Sequence, residues 1–199
     1  MALKLITAPA TSPLSLDEVK AHLRVDHEDE NAFIETLISA VTKHLDARDG
    51  WLGRALTEQT WELWLDAFPA SEIRIPLPPL QEIVSIKYDD VDGDEQTVDS
   101  DDYTVDTVNE PGWVVPNATF SWPDTLIGIN TVRVRFICGY PDVGGSPLEV
   151  GTPAAILAAM KLMIGDLYAH RETVFAGVVV NRTDTVNMLL APYEIHFVG

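Results

Sequence analysis

Residues 60–68 read TWELWLDAF, and their period decides the fold. Apolar and polar positions alternate: Trp61, Leu63 and Leu65 fall on one face, Glu62, Trp64 and Asp66 on the other. A period of two is the signature of a strand. The stretch before it is different. In FIETLISAVTKHL, residues 33–45, the apolar side chains Phe33, Ile34, Leu37, Ile38, Val41 and Leu45 recur at helical spacing. That helix is expected to stop near Gly50, a natural C-cap. The chain therefore switches from helix to strand between residues 50 and 60.

Working outward, the strand pattern persists to about residue 140. EIRIPL and IVSIKYDD continue it, PLPPL reads as a stiff connection, and DVDGDEQ as an Asp/Gly turn. DYTVDT, GWVVP and NTVRVRFICGY add further short strands, with NEPG as another turn. Upstream, Ser15 and Glu18 form a capping box for a first short helix, and Asp26 is a cap candidate for the second. Downstream, Thr152 is a cap candidate with Pro153 at the first helical position. The helix they open, AAILAAMKLMIGDLYAHRE, is apolar round most of its circumference, as a buried helix is. A last short helix ends before Pro192, and an extended tail follows.

The fold class that follows is α+β: a helical bundle of two N-terminal and two C-terminal helices with an inserted antiparallel β subdomain. Residues 1–57 are assigned to the N-terminal helices, 58–145 to the β insertion and 146–199 to the C-terminal helices and tail. The two outer segments each present an apolar stripe and are expected to pack as one helical core.

Composition narrows the function. The 199 residues hold 31 acidic against 13 basic side chains, a net charge of −18. Such a surface repels phosphates, which argues against a nucleic-acid-binding patch. Cys138, the single cysteine, sits in an apolar run and reads as a buried small hydrophobe, which fits a reducing compartment. The N-terminus reads as extended chain without the apolar core of a signal peptide. No run approaches the roughly 20 apolar residues of a membrane span.

The candidate reactive clusters are weak. HLRVDHEDEN, residues 22–31, carries His22 and His27 across a helix break, a spacing that matches no metal motif. Its acids, Glu28, Asp29 and Glu30, suit the first turn of the following helix, where the helix dipole favours negative charge. His170 beside Arg171 and Glu172 has no Ser or Cys placed as a partner, and His44 and His196 are isolated. Asp90, Asp92 and Asp94 suggest a calcium loop, but Gly93 falls fourth rather than sixth and Asp101 stands where the closing Glu belongs. There is no phosphate loop, dinucleotide fingerprint or nucleophile elbow. No metal and no cofactor is expected. The tryptophans 51, 61, 64, 113 and 122 all fall in or beside the β block, and Trp61 and Trp64 point to opposite faces of one strand.

Taken in order, these pieces resemble a known family. TSPLSLDEVKAHLRVDHEDENAFIETLISAVTKHLDARDGWLGRAL is similar to the N-terminal signature of phage gp6-like head–tail connector (adaptor) proteins. QTWELWLDAFP, IPLPPLQEIVSIKYDD, DYTVD, PGWVVP and VRVRFICGYPD resemble the β insertion of its longer branch, and TPAAILAAMKLMIGDLYAHRE its third helix. The resemblance implies a virion protein made in the bacterial host cytoplasm, in a tailed phage or a gene transfer agent. It implies a ring of about twelve copies at the head–tail junction, formed below the portal protein and possible from a free monomer. Its partners would be the portal, a tail-side connector or stopper, and further copies of itself. DNA would pass through without specific binding, and no membrane is involved.

By the same resemblance the C-terminal PYEIHFVG docks onto the portal. Tyr193, Ile195 and Phe197 share one face of an extended strand, with Val198 beside them, which suits strand addition or groove insertion. Trp64, Met160 and Met163 are the candidates for subunit contacts. The expected role is structural rather than enzymatic. A reading from another class is a small acidic hydrolase or carbohydrate-binding protein using Trp64, Trp122 and the acids of the β block.

Overall fold

The computed structural model describes residues 2–141, 151–170 and 183–195. In chain order the elements are β1 (Ala2–Thr7), α1 (Leu16–Leu23), α2 (Asn31–Leu45), β2 (Gln59–Leu65), β3 (Ile73–Ile75), β4 (Leu80–Asp89), β5 (Glu95–Thr97), β6 (Tyr103–Asp106), β7 (Gly112–Pro116), β8 (Val132–Cys138), α3 (Ala154–Ala169) and α4 (Thr183–Leu190). This is an α+β chain that divides into two compact units. One comprises Met1–Ala10 and Thr57–Tyr140, the other Thr11–Leu56 and Pro141–Gly199.

The β unit holds two antiparallel sheets, one ordered β1-β2-β8-β4-β5 and one ordered β3-β7-β6. TWELWL is the second strand of the larger sheet. Its apolar residues meet apolar residues across the ladder: Trp61 opposite Phe136, Leu63 opposite Val134, Leu65 opposite Val132. Ile83, Ile86 and Tyr88 extend the same rows onto β4. Leu63, Val132, Val134, Phe136 and Ile86 are fully buried, each contributing about 1.5–3 kcal/mol of transfer free energy. Because side chains alternate, the opposite face carries Glu62 opposite Arg135 and Trp64 opposite Arg133. That face is an ion ladder. Arg135 binds Glu62 at 2.8 Å, and Arg133 binds Asp89 at 2.6 Å and Glu95 at 3.1 Å.

Two close approaches within the β unit need glycine. Gly139 follows β8 with φ +98, and a Cβ there would lie 2.0 Å from the Thr57 carbonyl oxygen. Gly112 begins β7 against Leu80, whose Cδ2 would be 2.6 Å from an added Cβ. Only glycine lets the chains come so near.

The sheets add two strands to the sequence reading. Ala2–Thr7, expected as plain extended chain, pairs with β2 along the sheet edge. Its partner lies far along the sequence, and only the tertiary fold makes that pairing available. β5 is all polar (Glu95–Thr97) and lacks alternation, so its strand state rests on the turn that folds it back against β4.

In the helical unit, α1 is capped as its sequence requires. Ser15 Oγ accepts from the Glu18 N–H at 3.3 Å, and Glu18 Oε2 accepts from the Ser15 N–H at 3.0 Å. Arg24 then takes a left-handed conformation, φ 59, and ends the helix. α2 buries Ile34, Ile38, Val41 and Leu45, and α3 buries Ile156, Ala159, Met160 and Ile164. Each set is one stripe at helical spacing. The apolar surface that α3 carries elsewhere stays open at Leu162 and Leu167.

Three terminus readings are corrected. Asp26 does not cap α2; the helix starts at Asn31 behind Glu30, which makes no side-chain cap bond. Glu28, Asp29 and Glu30 therefore precede the first turn rather than form it, and the Glu30 carboxylate accepts instead from the Tyr168 hydroxyl. Gly50 is not the α2 C-cap. The helix ends at Leu45, and Gly50 is needed because a Cβ would sit 2.2 Å from the Asp46 carbonyl oxygen. Pro153, not Thr152, stands at the α3 boundary, and the Thr152 hydroxyl donates to the Leu56 carbonyl at 2.6 Å.

Candidate functional site

The HLRVDHEDEN corner is held by structural bonds. Lys161 approaches Glu18 at 3.7 Å, Phe33 and Tyr168 lie with ring centroids 6.1 Å apart, and Tyr168 donates to Glu30. His27 is 4.0 Å from Asp29 and turned to solvent. No group of three or more metal-ligating side chains converges among the described residues.

The acidic turn after β4 spends its carboxylate on its own backbone. Asp90 Oδ1 accepts from the N–H groups of Asp92 and Asp94, both at 3.0 Å, and Oδ2 from Gln96 at 2.8 Å. Gly93 makes the bend at φ +88. The Gln96 hydrogen bond, followed by the backbone ones, holds the Asp90 carboxyl below its ordinary value. This is an Asx-stabilised hairpin turn.

The tryptophans scatter. Trp122 stacks on Phe68 with centroids 4.9 Å apart and donates to the Ser71 carbonyl at 2.9 Å. Arg74 lies over Trp113 at 4.6 Å, on directly paired positions of β3 and β7. Trp61 is buried on the apolar face, its Nε1 donating to Gln59 at 2.9 Å. Trp64 sits on the ionic face under the Arg133 guanidinium, 5.6 Å from its ring centroid. Trp51 belongs to the helical unit, where it faces His44 at 6.3 Å. No two tryptophans combine into a sugar platform in these contacts.

Of the residues considered for subunit contacts, Met160 is fully buried in the helical unit, Met163 is half-buried and Trp64 is half-buried on its sheet. Of the residues considered for portal docking, Tyr193 and Ile195 are anchored to the loop after α2. The buried guanidinium of Arg54 donates from Nε to the Tyr193 carbonyl at 2.6 Å and lies 5.6 Å from the Tyr193 ring centroid. The Ile195 N–H donates to the Leu52 carbonyl at 2.9 Å. Phe197, Val198 and His196 lie outside the described residues. Sequence reasoning passed over Arg54. The signal available was an arginine between glycine and a run of small apolar residues, GRAL, where a solvated arginine has little reason to be.

The helical unit also contains a groove of about 1020 Å³. Its floor and walls include Trp51, Leu162, Met163, Gly165, Ala169 and Val186. His22, His44, Asp49 and Asp166 stand among them. His170 Nδ1 lies 3.0 Å from the Asp166 carboxylate.

Comparisons with known proteins agree with this picture. Three solved structures share the fold over the whole chain and 98% of their own. One is described as the neck of an empty gene transfer agent particle computed with C6 symmetry, at 20% identity and a TM-score of 0.72. Another is the virion of a native gene transfer agent particle, at 16% identity and 0.65. A third is the neck of a native particle computed with C12 symmetry, at 17% identity and 0.64. Among curated proteins no sequence matches the chain. The sequence profile of the phage gp6-like head–tail connector proteins matches residues 13–108, from the capping box of α1 to just past β6. With the capping box, the charged corner and the strands through β6 falling in that order inside one match, this part of the chain is similar to the phage gp6-like head–tail connector proteins.

Proposed function

We propose that this protein assembles as a ring below the portal of a tailed-phage or gene transfer agent capsid, extends the DNA channel and receives the tail. The observation that carries the reading is the family match across the helical corner and the strands from β2 to β6. Fold neighbours whose necks were computed with C6 and C12 symmetry support a ring, and they support a place in the virion. A net charge of −18 suits a passage in which DNA must keep moving, because attraction to phosphates would hold it. The role is structural assembly.

The C-terminal residues are the proposed portal contact. Arg54 and Leu52 hold the chain at Tyr193 and Ile195. The test is electron microscopy of the protein mixed with portal-bearing capsids. Intact protein is expected to add ring density under the portal. A chain ending at Ile195 keeps both anchoring bonds and is expected to fold but not attach. Attachment by the shortened chain would remove the tail from the proposal, and no added density with intact protein would overturn the ring itself.

A further inference from the structure

Residues 126–129, LIGI, put three aliphatic side chains into solvent at one tip of the β unit. Leu126 is 40% exposed, Ile129 82% and Ile127 100%. Single exposed aliphatics are ordinary on a protein surface, but three within four positions form a patch. The tip is tied down on both sides. At its root Trp122 stacks on Phe68 and donates to the Ser71 carbonyl. The Leu126 N–H donates to the Asp89 carbonyl at 2.9 Å, and the Asn130 N–H to Asp66 Oδ1 at 2.9 Å. The Thr131 hydroxyl donates to the Asp66 carbonyl at 2.6 Å. The loop thus uses its tryptophan to anchor itself and presents its aliphatics outward. A knob already fixed in this way loses little conformational entropy on docking.

The tip sits at the end of the β unit away from the chain crossings. The chain passes between the two units after Ala10, Leu56 and Tyr140. All three crossings lie beyond the end of the larger sheet where Thr7 pairs with Thr60 and Gln59 with Cys138. The tip lies beyond the other end, where Leu65 pairs with Val132, six residues or about 20 Å along β2. Of the residues that are not described only Met1 belongs to this unit, so no further segment of the unit's own chain is left to bury the tip. The proposed portal contact follows Ile195 in the helical unit, which leaves the tip for a second partner.

Charge selects that partner. Between Asn117 and Asn130 the one charged residue is Asp124, and it is exposed. A second copy complements the tip poorly. The hollow beside the tip is bordered by Asp66 and Asp124 and by no Lys or Arg among the described residues, so like charges would meet. A net charge of −18 opposes an anionic lipid surface in the same way. We infer that the tip inserts into an apolar cleft, rimmed by Lys or Arg, on the tail-side protein that this connector receives. Ile127 and Ile129 are the anchors, and Asp124 meets the basic rim. The inference rests on the connector reading and names the chemistry of its tail contact.

Co-sedimentation of the labelled full-length protein with purified tails of the same particle tests it without portals or capsids, so its outcome is separate from that of the ring assay. The wild type is expected to pellet with the tails saturably, and less as salt rises. The Ile127→Ser, Ile129→Ser double variant is expected to bind at least about tenfold more weakly, about 1.4 kcal/mol. Ile127→Met with Ile129→Met keeps an apolar tip and is expected to bind nearly as the wild type does. Asp124→Lys is expected to weaken binding with the apolar tip intact. All three positions are exposed, so thermal melts are expected to be unchanged, which certifies that the variants are folded. No pelleting of the wild type, equal pelleting of the serine variant, or tighter pelleting of Asp124→Lys would overturn the inference. So would self-association, or flotation with phosphatidylcholine vesicles, that the serine variant abolishes, since the occupant would then be a second copy or a lipid surface.

Discussion

Arg54 is the residue on which the end of the described chain depends. It is 2% exposed, and its Nε–H is the donor to the Tyr193 carbonyl. Arg54→Met keeps most of the apolar stem and removes the donor. A hydrogen bond made by a charged group is worth about 1.5–3 kcal/mol, so the variant should lose that much in urea unfolding. Gly139 is decisive in another way. Alanine there would face both a left-handed φ of +98 and a carbonyl oxygen 2.0 Å from its Cβ. Gly139→Ala is expected to cost about 3 kcal/mol, with Gly128→Ala, at an ordinary φ and 3.2 Å from a flexible threonine methyl, costing far less. Matched thermal melts of the two would check the contrast. Neither residue's role is legible in the sequence: the strand reading of NTVRVRFICGY runs through Gly139, and the burial of Arg54 does not show.

At the scale of the element, α1 displays the tightest link from sequence to structure. Its SLDE box fixes the start, and both reciprocal bonds form as that spacing requires. Ser15→Ala should cost about 1 kcal/mol at neutral pH. The backbone bond from Ser15 is the main reason the Glu18 carboxyl lies below its ordinary value, with the Ser15 hydroxyl and Lys161 adding to it against some desolvation. A lowered folded-state value means that this stabilisation is fully present above the unfolded-state value and is lost as pH falls through the folded one. Ser15→Ala keeps the N–H that makes this bond, so it is the gap between wild type and Glu18→Ala that should narrow through the acidic carboxylate range. Denaturant melts at neutral and at acidic pH would check it, and a constant gap would assign the cap to the hydroxyl alone. α2 and α3 start differently from their sequence cues. Asp26 and Thr152 were plausible caps, but the chain enters α2 through a turn ending at Glu30, and Leu56 takes the Thr152 hydroxyl. Caps are read from local spacing, whereas these bonds are set by partners far along the chain. The strands follow the same division. β2 and β8 are plain from alternation, while β1 and β5 exist because a neighbour offers an edge.

At the scale of the molecule, charge is the dominant property. The β unit holds 16 of the acids and 5 of the basic residues, and 16 − 5 leaves it at −11. Three of those five, Lys87, Arg133 and Arg135, are already committed to Glu95, Asp89 and Glu62. Little positive charge remains to hold a phosphate. Duplex DNA should bind more weakly than about 10⁻⁴ M even at low salt, the edge of ordinary non-specific binding. Fluorescence anisotropy with a labelled duplex would check it, and a tighter, salt-sensitive complex would contradict a passive channel wall. The sequence by itself determined the α+β class, the placing of the β block between helices, the buried stripe of α2 and the acidic surface, while its reading of α3 as buried all round gives way to one buried stripe with Leu162 and Leu167 exposed. Those depend on periodicity and composition, which any short window carries. The tertiary structure alone decided that β1 edges the larger sheet, that Arg54 receives the C-terminal chain and that Met160 belongs to the core. Each of these joins residues separated along the chain, and the free energy of such a contact exists only once folding has brought its two sides together.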